Sequence, residues 1–175
     1  LPCLAALDLS SNPIADAHAA PFLASLFGPR GAAGADAVIP APSSLRCLHL
    51  GGTEAGDGAA AACAEAMQRG SPPLALRALC LSSAVGSKGA AALAAALPCA
   101  PSLRELWLGN RVGDEGVEAL MAALRSGERV GLRTLGLGGK ARSGVVLRNA
   151  LTEACVASLA ELPRTDAALS DLRLP

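Results

Sequence analysis

The sequence predicts an α/β solenoid: a horseshoe with parallel strands on its concave face and helices on its convex face. Three observations point there. An L-x-x-L-x-L hexad recurs along the chain, and each of the first five copies leads through a short polar punctuation into a helix-like stretch. Composition agrees, because 51% hydrophobic residues with only 2% aromatics suit many small units in a regular array better than one irregular core. A motif returning at intervals of ~28 residues marks stacked units that each bury one face against their neighbours.

The strands come first. "LAALDLSSN" begins at Leu4, "LRCLHLGGT" at Leu45, "LRALCLSS" at Leu76, "LRELWLGN" at Leu103, "LRTLGLGG" at Leu132, and a partial "LSDLRL" at Leu169. Strand side chains alternate between faces. The second and third leucines of each hexad therefore enter the core, and the residue between them faces the inner curve. That column reads Asp8, His49, Cys80, Trp107, Gly136 and Arg173. The column two residues earlier reads Ala6, Cys47, Ala78, Glu105, Thr134 and Asp171.

Punctuation follows as "NPIAD", "TEAGD", "SAVGS", "NRVGD" and "NALTE". Helix-like stretches come next: "DAHAAPFLASLF", "GDGAAAACAEAMQRG", "SKGAAALAAALP", "GDEGVEALMAALRSG" and "TEACVASLAEL". Asp16, Asp57, Ser87, Asp114 and Thr152 stand where N-caps are expected, their oxygens available to each helix's own orphan N–H groups. Val117, Leu120, Met121 and Leu124 recur at helical spacing and mark one buried stripe.

Two segments interrupt the array. Residues 28–44, rich in Gly, Ala and Pro, read as a flexible excursion, and residues 138–148 as a mobile loop. "GGKA" at 138–141 is no phosphate-binding loop: Thr134 replaces its first Gly, and Ala141 the Ser or Thr that would hold magnesium. Residues 1–175 read as a single domain of about five repeats plus a terminal strand. Neither end offers a capping unit with a polar outer face, so a fragment of a longer array is expected.

The pattern resembles the leucine-rich repeat family, in its ribonuclease-inhibitor-like class, through Leu103, Leu106, Leu108, Asn110, Val112, Asp114, Gly116 and their counterparts in the other copies. Thr53 and Ser83 replace the expected Asn, and the third and fourth copies are one residue shorter before that position. The resemblance implies a scaffold whose concave face binds a protein, often through aromatics in the inner column. Ran-type GTPase-activating proteins and the sensing arms of innate-immune-type receptors are built from similar repeats and are the alternative functions.

Formal charge is zero, with 15 basic and 15 acidic residues, which gives no field for nucleic acid or a membrane surface. The longest apolar stretch is broken by Pro98 and too short to span a bilayer. Six cysteines occur without a CxxC pair, so the thiols are expected to be reduced and the protein intracellular, in the cytoplasm.

Trp107, the only tryptophan, is expected to face solvent between Glu105 and Gly109. Tryptophan is the residue most enriched at binding hot spots. A partner site of Trp107, Glu105, His49, Asp8 and Arg173 follows. The order Asp8, His49, Cys80 would suit an orienter, a base and a thiolate, and Cys47, His49 and Cys80 could offer soft zinc ligands. Parallel side chains on a sheet do not converge, however, so no enzyme, metal or cofactor is expected. Cys47 and Cys80, as diagonal neighbours, lie too far apart for a disulfide. Arg46, Arg77, Arg104 and Arg133 form a row along one rim, read as solvated. Cys63, Cys99 and Cys155 are expected to be small apolar filler, and His18 to be structural.

Overall fold

The computed structural model describes residues 4–27, 44–69, 74–81, 84–109, 111–126, 130–138, 151–160 and 169–173. Most of both excursions (28–43 and 139–148), with Ser83 and Asn110, lies outside them.

Each hexad forms a short strand: β1 Ala6–Asp8, β2 Cys47–His49, β3 Ala78–Cys80, β4 Glu105–Leu108, β5 Thr134–Leu137 and β6 Asp171–Arg173. They make one parallel sheet in the order β1-β2-β3-β4-β5-β6. The helices between them are α1 Asp16–Phe27, α2 Asp57–Arg69, α3 Ser87–Ala96, α4 Asp114–Arg125 and α5 Glu153–Ala160. Each packs against the next along the series. The alternation of strand and helix around a parallel sheet is that of an α/β repeat solenoid.

Register follows the leucine pattern. Leu7 pairs with Leu48, Leu48 with Leu79, Leu79 with Leu106, Leu106 with Leu135, and Leu135 with Leu172. The core leucines of β2 to β5 are buried with the stripes of the helices. In α4 that stripe is Val117, Leu120, Met121 and Leu124, as the spacing predicts. In α2, Ala59, Ala60, Ala62, Ala64 and Ala66 are all buried. A helix with a helix on either side needs small residues around much of its girth to allow close approach. The punctuation valines, Val85 and Val112, are buried too.

The helix starts differ from expectation. Helices α1 to α4 begin at Asp16, Asp57, Ser87 and Asp114 themselves, one residue past a cap. Gly86 and Gly113 occupy the cap positions of α3 and α4, with no side-chain cap bond. The side chains instead cross to the following repeat. Asp16 accepts from the backbone N–H of Gly56 (2.8 Å), Gly58 (2.9 Å) and Ala59 (2.8 Å) at the start of α2. Asp57 accepts from Gly86 (2.7 Å) and Gly89 (2.9 Å) at the start of α3. Ser87 accepts from Gly113 (3.0 Å), and Asp114 from Thr152 (3.0 Å). Only Thr152 caps its own helix, accepting from Cys155 N–H at 3.3 Å. The cause is steric: helix starts lie side by side, and a carboxylate in the first turn reaches its neighbour's orphan N–H groups more directly than its own. Glycine makes room, since a Cβ at Gly58 would lie 2.6 Å from Asp16 Oδ2 and one at Gly89 2.7 Å from Asp57 Oδ1.

Thr53 performs the role of the missing Asn. It is buried, donates to Leu50 O at 2.7 Å and accepts from Ala55 N–H at 3.2 Å. In the first repeat Asn12 donates to Leu9 O at 3.0 Å.

Candidate functional site

On the sheet face opposite the core leucines, both predicted columns are in register. Asp8 pairs with His49, His49 with Cys80, Cys80 with Trp107, Trp107 with Gly136, and Gly136 with Arg173. Beside them run Ala6, Cys47, Ala78, Glu105, Thr134 and Asp171, likewise paired. Leucine periodicity fixes which side chains reach this face, and the sheet register fixes their neighbours.

Trp107 corrects the sequence reading. It lies on the expected face but is only 7% exposed. Its indole leans sideways over β5, where Gly136 leaves space: a Cβ there would fall 2.6 Å from Trp107 Cζ3. From the far side of Gly136, the Arg173 guanidinium sits over the ring, 5.3 Å from its centroid. The indole Nε1–H donates to Glu105 Oε2 at 3.4 Å, and Arg173 Nε donates to Asp171 Oδ2 at 2.9 Å. Alternation assigned the face correctly. It could not assign the lateral tilt, which arises because an aromatic ring covers an adjacent strand glycine.

The five predicted site residues thus fall into two groups. Trp107, Glu105 and Arg173 come together, joined by Gly136 and Asp171, which the sequence reading left out. The signal for both was present, since glycine inside a strand marks a close approach and Asp171 precedes Arg173 by one strand period. Asp8 and His49 are mutual neighbours separated from Trp107 by β3. Asp8 is exposed and accepts from Ser10 N–H at 2.9 Å, while His49 is half-buried.

The thiol geometry does not favour nucleophilic chemistry. Cys80 is buried, and a Cβ at Gly51 would lie 3.5 Å from its Sγ, so the sulfur packs toward the end of β2. Cys47, Cys63, Cys99 and Cys155 are free thiols. Among the described residues no group of His, Cys, Asp or Glu is arranged to hold a metal. Cys63 and Cys155 are buried as expected, but Cys99, in the 3-10 turn that ends α3, is exposed. Burial pushes the Cys63 thiol up to about 12. The Cys155 thiol is also raised, by burial first and then by the charge of Asp114. Asp114 is held below its ordinary 3.8 by the Thr152 backbone N–H and then by the Thr152 hydroxyl. His18 is exposed on α1.

In the arginine row, two side chains satisfy carbonyls of the neighbouring connections. Arg46 Nη1 donates to Ala75 O (3.2 Å), and Arg104 Nη1 to Pro101 O (2.9 Å) and Gly131 O (2.7 Å). Arg77 and Arg133 are exposed. Among the described residues the large apolar side chains left exposed are Phe22 and Val156, both on helices, and no helix is long and apolar enough to cross a membrane.

The sequence profile of the Leucine Rich repeat family matches residues 101–121, which run from just before β4 into α4 and include Trp107. This supports a leucine-rich repeat protein. Such repeats generally mediate protein–protein interaction and are typically non-enzymatic. No curated protein matches the chain.

Proposed function

We propose that this leucine-rich repeat chain is a non-enzymatic interaction scaffold of the ribonuclease-inhibitor-like class. It docks a protein partner on a concave, sheet-side face and works inside the cell. The observation that carries the reading is the unbroken row Asp8, His49, Cys80, Trp107, Gly136, Arg173, in register across six strands. Its charged, polar and aromatic groups lie on the face that the leucine core does not use. Such a row offers a partner fixed spacing with little ordering cost, because the sheet backbone holds every position. The charged residues Asp8, Glu105 and Arg173, with His49, set orientation and exclude wrong partners. Trp107 becomes the anchor only once its cover is moved. Free thiols on Cys47 and Cys63 favour the intracellular setting.

The test is cross-linked capture from cell extract with three proteins. Proteins recovered with the native chain should be lost with the double substitution Asp8→Arg, His49→Glu on the sheet face. They should be kept with Gln68→Arg on α2. All three should melt alike. Capture that survives the sheet-face change, or falls equally with the α2 change, removes the reading.

A further inference from the structure

We propose that Trp107, Glu105 and Asp171 form a receptor for a guanidinium group, which the chain's own Arg173 fills until an arginine of a protein partner displaces it. The inference rests on the scaffold reading above and names the chemistry at the centre of its face.

The occupant identifies what the site accepts. A guanidinium lies over the indole at 5.3 Å from the ring centroid, with a carboxylate on its Nε at 2.9 Å. Planar cations stack on aromatic faces, and arginine does so more readily than lysine. Gly136 lets the ring lie across β5 toward Arg173, since any side chain there would enter the indole's space.

Arg173 is an incomplete ligand for the site. Among the described residues its Nη1 and Nη2 meet no acceptor, and its side chain remains 63% exposed. Among the described residues Glu105 meets only the indole N–H, at a long 3.4 Å. It lies in the same row as Asp171, with Thr134 between them. Strands are spaced ~4.8 Å apart, so the two carboxylates stand on either side of β5, the strand over which the ring leans. A guanidinium arriving from outside could meet both carboxylates and the ring face, whereas Arg173, tethered beside Asp171, meets one carboxylate and the ring. An exposed ion pair and a single stack are weak and separable interactions. With Arg173 withdrawn, Glu105 and Asp171 leave the pocket net negative, which favours a cation and disfavours an acidic partner at this point.

The chain reports on the site directly. Trp107 is its only tryptophan and there is no tyrosine, so fluorescence excited at the indole band comes from this ring. In Arg173→Ala the emission should shift to the red and acrylamide quenching should rise severalfold. Ethylguanidinium, the probe for an arginine head group, should restore protection where sodium chloride of equal ionic strength does not. Adding Glu105→Gln and Asp171→Asn should abolish that rescue while circular dichroism stays native. Unchanged quenching in Arg173→Ala overturns the proposal, because the ring is then covered by something else. Rescue no better than salt overturns the receptor. Unfolding of Arg173→Ala would make the side chain a structural staple and overturns the proposal equally. No partner is needed, so failure here and failure of the capture test are read separately.

Discussion

Replacing Asp16 by alanine tests the cross-repeat contacts most severely. Its carboxylate accepts three N–H groups at 2.8–2.9 Å from the first turn of α2. A single cap bond contributes about 1 kcal/mol, and a negative charge at a helix start adds some tenths more. The three are not additive, since water reaches the half-buried amides once the side chain is gone. A loss of about 2–3 kcal/mol follows. Asp57→Ala, with two acceptor contacts, should lose about 1–2 kcal/mol, and Ser87→Ala, with one, about 0.5–1 kcal/mol. Asp16→Asn should recover less than half of the alanine loss, because its amide would set a donor against one of the backbone donors. Urea denaturation followed by circular dichroism measures the series. Because these bonds join repeats, Asp16→Ala should also lower the slope of the transition as cooperativity weakens. Equal losses at Asp16 and Ser87, or a wild-type midpoint for Asp16→Asn, would refute the reasoning.

Ser11 has φ 61°, where the equivalent residue of the next repeat, Gly52, has φ 73°. Ser11→Gly should raise stability by about 0.5–1 kcal/mol, the left-handed penalty less glycine's extra chain entropy, read as a higher melting temperature. Asp114, with its pKa depressed in the folded chain, contributes stability that is complete above about pH 4 and is lost as pH falls through the folded value. Asp114→Asn should therefore flatten the melting-temperature profile below about pH 4 and leave its shape at neutral pH unchanged. Iodoacetamide at pH 8 should label the exposed Cys99 within minutes and leave Cys63 unmodified until the chain is unfolded, as mass spectrometry would show.

The strands and both surface columns were legible because a hexad of leucines carries its own register. A slip of one residue would turn every leucine outward. The helices were legible from caps and periodicity to within a residue or two. What escaped were relations between repeats. Cap rules consider one helix at a time, so Asp16 and Asp57 were assigned to their own helices when a neighbour's N–H groups lay nearer. Alternation likewise treats a strand alone, so Trp107 looked bare. Its burial depends on Gly136 one strand away and involves Arg173 two strands away. For the same reason strand position alone makes the arginine row solvated, whereas Arg46 and Arg104 reach carbonyls of the following connections. Cys99 departs from the filler role because a 3-10 turn after α3 swings it outward, and helical periodicity does not extend through such a turn.

The contacts made by Asp16, Asp57, Ser87 and Asp114 all run one way, each unit completing the helix start of the unit that follows it. The array therefore has a vector. Deleting a unit upstream deprives its successor of acceptors and leaves amides in a crowded first turn. Deleting one downstream strands only a carboxylate, which water solvates readily. Shortening from the front should thus be far more damaging than shortening from the back. A duplicated unit, carrying its own aspartate and its own receiving glycines, can be spliced into the series without any new contact being devised.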